Sequence, residues 1–168
     1  MRGITLHSSP FTGFHMTRIP EALHWLAVTA WVGALWTVGL MVAPTLFHYL
    51  PDRTLAGSLA GRLFTYTALI GIGCGIYLVL FRLVRFGSQA FRHGFFWLAL
   101  TMLVLAIVGE FAVQPILHAL RAEAMPKQVM ESMLRERFST WHGVASGLYI
   151  IECVFGVGLV LLQARAPH

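Results

Sequence analysis

The side chains able to do chemistry in this chain gather at the ends of two apolar runs. In GEFAVQPILH, residues 109–118, Glu110, Gln114 and His118 recur at every fourth position, so on a helix they form one stripe. In WHGVASGLYIIEC, residues 141–153, His142, Ser146, Tyr149 and Glu152 form a second stripe. Each stripe carries a histidine and a carboxylate. Imidazole and carboxylate together suit divalent metal ions, which makes Glu110, His118 and His142 one candidate metal set. The two carboxylates alone suit a proton, a small cation or a polar ligand. Haem held by an axial histidine is a third chemistry, with His24 as its candidate on the opposite side. Ser146 and His142 lie one turn apart, a common spacing on helices, and no nucleophile with a matched base stands out. The expectation leans away from an enzyme.

The elements that position these residues are membrane helices. The chain has 168 residues, 57% of them hydrophobic and only 11% charged, with a mean hydropathy of +0.72. Crossing a bilayer takes about 20 helical residues, and apolar runs of that length lie near 22–43, 62–81, 95–117 and 141–163. They leave little chain for a second domain, so residues 1–168 read as one all-α, four-span membrane bundle whose partner is the lipid bilayer. At 1.5 Å per residue Glu110 sits roughly 12 Å deeper than His118, inside the hydrocarbon zone. Pro115 follows closely, and its ring conflicts with the carbonyl of Phe111, so a kink is expected beside the acid. The second stripe enters from the same side of the membrane. Intramembrane acids are costly and face a bundle interior or a cavity, so the two stripes are expected to converge on one pocket.

The net charge of +5 belongs to arginines flanking the spans, which meet lipid headgroups and argue against a nucleic-acid partner. Lysines and arginines tie at six on each side; the loop RLVRFGSQAFR, with three arginines and no acid, breaks the tie toward cytoplasmic N- and C-termini. The first run is too long for a signal-peptide core and is expected to be retained. Cys74 and Cys153 fall inside apolar runs and give no disulfide framework. Trp25, Trp97 and Trp141 are placed as interfacial anchors, whereas Trp31 and Trp36 lie deeper and are expected to pack between helices. Glycines four apart at 57 and 61, 71 and 75, and 143 and 147 allow close helix approach. GIGCG at 71–75 lacks the preceding strand of a dinucleotide loop. Between the third and fourth runs, PKQVMESMLRERF predicts a short amphipathic helix over 126–138 lying on the membrane surface.

LHWLAVTAWVGALWTVGLMVAPTLFHYL, GSLAGRLF, QPILHAL and RFSTWHGVASGLY together resemble the bacterial relatives of the transmembrane protein 205 family. The resemblance covers residues 21–163 and implies a four-helix integral membrane protein of the bacterial inner membrane. His24, Trp31, Gly33 and Pro44 are also similar to the first helix of membrane haem-carrying protoporphyrinogen oxidases and of copper-resistance D-type domains. The oxidase resemblance has no intramembrane lysine to match, because Lys127 is the sole lysine. The leading expectation is a pocket of Glu110, Gln114, His118, His142, Ser146, Tyr149 and Glu152 that binds or passes a small cation, proton or polar ligand. A haem-binding oxidoreductase using His24 and a structural or assembly subunit, with a homo-oligomeric or other membrane-protein partner, are the alternatives.

Overall fold

The computed structural model describes residues 18–124 and 132–164. Four helical spans run antiparallel, Ile19–Tyr49, Arg53–Arg92, Gly94–Ala122 and Glu136–Ala164, and no strand occurs among the described residues. A lipid-exposed backbone has no water to bond, so helices that satisfy their own amides are what such sequences form. Each span packs on its neighbours in chain order and the fourth closes onto the first, giving a ring in which spans 1 and 3 are diagonal. The side with residue 18, the 87–93 connection and residue 164 is called the terminal side here; the other is the loop side.

Span 1 consists of α1, Arg18–Trp36, a wide π-helical turn, Thr37–Val42, and α2, Ala43–Tyr49. Asp52 caps the next helix, its carboxylate accepting from the amides of Thr54 at 2.8 Å and Leu55 at 3.3 Å. That helix, α3, runs Arg53–Phe86 and ends at Gly87, whose φ of 54° is the left-handed conformation that glycine adopts without penalty. Span 3 repeats the pattern of span 1, with α4, Gly94–Val108, a wide turn, Gly109–Val113, and α5, Gln114–Ala124. Span 4 belongs to one helix, α6, Ser132–Ala164.

Both wide turns precede a proline, and the reason is common to both. Proline has no N–H to offer the carbonyl four residues back, and its ring crowds that oxygen. Ahead of Pro44 the Ala43 N–H bonds to the Val38 carbonyl, and ahead of Pro115 the Gln114 N–H bonds to the Gly109 carbonyl, each five residues back. The kink expected at Pro115 is thus expressed as an inserted residue in the turn that carries Glu110.

The core is centred on Trp31, 1% exposed, with Leu35, Leu78, Met102 and Leu159 fully enclosed around it. Its indole lies over Gly71 and Gly75, where any Cβ would collide with the ring. That glycine pair therefore admits a side chain and not a neighbouring backbone. Gly61 makes room for the guanidinium of Arg121, while Gly143 and Gly147 face open space. Trp36, expected between helices, is 40% exposed and lies at the edge of spans 1 and 4. Of the surface helix expected over 126–138, the described part, Ser132–Phe138, forms the first turns of α6 and is continuous with span 4. Residues 126–131 lie outside the described residues.

Candidate functional site

Between the four spans, from the bundle centre toward the loop side, lies a cavity of about 600 Å³. Six of the seven residues expected at a pocket line it: Glu110, Gln114, His142, Ser146, Tyr149 and Glu152. The two stripes thus converge. Most of the remaining wall is apolar, with Trp31 and Leu35 at the closed end and Phe64, Leu105 and Leu117 along the sides.

Glu152 is 7% exposed, and among the described residues its Oε1 has no hydrogen-bond partner; the Oε2 of Glu110 is likewise buried and unpartnered there. An ionised carboxylate so placed needs a counter-charge or donors from whatever occupies the cavity. Tyr149 is already committed. Its hydroxyl donates to the Leu35 carbonyl at 2.5 Å, and its ring meets Phe64 edge-on at 4.9 Å and lies against Gly39. The Trp36 Nε1 donates to the Cys153 carbonyl at 3.3 Å beside it. These two bonds join spans 1 and 4 at mid-membrane.

Arg121 lines the cavity near the loop side, a role that its use in the charge count did not anticipate. Its guanidinium lies 5.6 Å from the ring of Phe138, which stacks on His142 at 5.8 Å, so a positive group and an exposed imidazole flank the aqueous end. The signal for Arg121 was helical phase. Seven residues past Gln114 place it only about 20° off that meridian, whereas four residues place His118 about 40° off on the other side.

His118 is exposed and does not line the cavity. The metal set Glu110, His118 and His142 is therefore not assembled, and among the described residues no group of three or more His, Cys, Asp or Glu side chains is placed to hold a metal ion. The physical reason is the wide turn, which shifts the phase between Glu110 and α5, compounded by the drift from Gln114 to His118. His24 is also outside the cavity. It is 7% exposed on the terminal side, its ring wedged between Phe81 at 5.0 Å and Phe95 at 5.2 Å, with Arg82 over the far ring at 4.3 Å.

No curated protein and no solved structure matches the chain. The family model described as a domain of unknown function, DUF4149, matches residues 26–126. That range takes in both wide turns, Glu110, Gln114 and Arg121, and stops short of the span that carries Tyr149 and Glu152. With more than half of its length matched, the chain belongs to this DUF4149 family.

Proposed function

We propose that this protein is a membrane-embedded binding protein whose cavity takes a small organic cation, held through its charged group by Glu110 and Glu152. The observation that carries this reading is the pair of carboxylates, Glu110 and Glu152, that line one cavity from two spans, each with a buried oxygen that finds no hydrogen-bond partner among the described residues. A cavity of about 600 Å³ is in the size range of sites for organic ligands. A bare metal ion would leave most of it empty, and among the described residues no set of three ligands is placed to hold one. Gln114, Ser146 and the Tyr149 oxygen supply further polar contacts, so the ligand carries one or two groups able to hydrogen bond in an otherwise apolar frame.

The finer placement follows the same line. The motifs shared with bacterial relatives of the transmembrane protein 205 family support a bacterial inner-membrane setting. The arginine-rich 82–92 loop supports cytoplasmic termini. With that orientation the cavity lies in the non-cytoplasmic half of the membrane.

The test is binding of an alkyltrimethylammonium ion to the protein in lipid nanodiscs, followed by calorimetry. Glu110→Gln and Glu152→Gln each keep the shape and burial of the side chain while removing its charge. Each should weaken binding by at least roughly tenfold, about 1.4 kcal/mol, with the elution profile and helicity of the wild type retained. Unchanged binding in both variants would leave the carboxylates as neutral hydrogen-bonding groups between helices and favour a structural or assembly subunit.

A further inference from the structure

The walls of the cavity are not equally closed. Lining residues from spans 2 and 3 are all buried or half-buried, and every exposed lining residue comes from span 1 or span 4. Leu40 on span 1 is 69% exposed, and Ile150 and Val154 on span 4 are 62% and 61% exposed. These residues lie within about 10 Å of the midpoints of their helices, at a rise of 1.5 Å per residue, so the gap between them opens into hydrocarbon. Local backbone accounts for the gap. The wide turn Thr37–Val42 redirects the rest of span 1, and α2 packs against α3. The Tyr149 and Trp36 bonds join span 1 to span 4 ahead of the wide turn, on the terminal side of Leu40.

The aqueous end is built differently. Arg121, with Phe138 and His142, stands between water and the carboxylates. An arginine at the entrance raises the energy of an approaching cation, whereas an apolar seam at the level of the acyl chains does not obstruct an alkyl group.

We infer that the cavity is loaded sideways from the bilayer through the seam between spans 1 and 4, and that its ligand is a single-chain amphiphilic amine. The ammonium lies against Glu110 and Glu152 and the alkyl chain extends past Leu40 and Val154. This inference rests on the cation-binding reading above and adds to it the ligand class and the route.

Two probes separate the two ideas in nanodiscs: dodecyltrimethylammonium, which partitions into the bilayer, and tetramethylammonium, which stays in water. The Glu110→Gln, Glu152→Gln double variant sets the nonspecific baseline. The expected result is that the dodecyl probe binds above this baseline at least roughly tenfold more tightly than tetramethylammonium. Leu40→Trp with Val154→Trp, which narrows the seam on lipid-facing positions, should slow its binding by roughly tenfold or more. If the seam variant binds at the wild-type rate, or if both probes bind equally well, lateral loading is overturned while the cation site stands. If neither probe exceeds the baseline, the cation reading falls and the inference with it. A dodecyl amine bearing a chain-end diazirine gives an independent readout in the wild-type protein, should the seam variant fail to fold. Photolabel on spans 1 and 4 supports the route, and label confined to spans 2 and 3 overturns it.

Discussion

The hydroxyl of Tyr149 donates to the carbonyl oxygen of Leu35 at 2.5 Å, fastening span 4 to span 1 just ahead of the wide turn. The ring occupies the space left by the missing side chain of Gly39. On the terminal side of this bond the two spans share the core with Val32 against Gly156; on span 1 the exposed lining residues Trp36, Leu40 and Phe47 all follow Leu35 toward the loop side. The tyrosine read from the sequence as a polar group of the pocket is thus also a fastening between two of the spans that line it.

Removing that fastening should cost stability modestly. Tyr149→Phe loses one interhelical hydrogen bond, worth about 0.6 to 1.7 kcal/mol in a bilayer. Gly39→Leu, which forces the ring away, should cost more, about 1 to 3 kcal/mol. Reversible unfolding by dodecyl sulfate in mixed micelles measures both, and equal stability of all three proteins would refute the assignment.

The Trp31 packing makes a sharper prediction. Gly71→Ala places a methyl where the indole lies, so the expected loss is about 1 to 3 kcal/mol from overpacking. Combining Gly71→Ala with Trp31→Phe should recover part of it, because the smaller ring vacates the site. A double-mutant cycle reads the coupling; strictly additive losses would mean that ring and glycine do not meet.

Binding of an organic cation should strengthen as pH rises. Protons and the ammonium compete for the same carboxylates, so acid displaces the ligand; His142 also lines the wall. The other titratable groups on the wall are Arg121, Tyr149 and Cys153. Affinity measured across mildly acidic to neutral pH should follow this trend in the wild type and flatten in the double glutamine variant. A wild-type profile as flat as the variant's would remove the carboxylates from recognition.

His118→Ala should leave binding within about twofold of wild type, whereas Gln114→Leu should weaken it by roughly threefold or more. Elemental analysis of the two purified proteins should give the same metal content. Loss of a bound metal in His118→Ala would restore the imidazole to the site and overturn its placement on the outer surface.

Much of this architecture was legible in the residues. Apolar runs of bilayer length dictated four helices because a backbone in hydrocarbon must bond to itself. The observed spans extend beyond the expected limits mainly where polar residues prolong the helices, as at Arg53 and Ser58 or at Glu136. The period of polar residues placed Glu110, Gln114, His142, Tyr149 and Glu152 on inward faces, and all five line the cavity. Proline at 115 marked the turn that bears the acid.

What the tertiary structure alone decided was phase and partnership. An inserted residue in a wide turn rotates everything beyond it, so a four-residue spacing no longer means one meridian, and His118 leaves the stripe while Arg121 joins it. The fit of Trp31 over Gly71 and Gly75, and of Tyr149 over Gly39, depends on which helices are neighbours, a nonlocal outcome that local periodicity does not contain. The seam between spans 1 and 4 is of the same kind. Leu40, Ile150 and Val154 are ordinary lipid-facing residues by sequence, and only the divergence of two helices makes them the rim of a cavity.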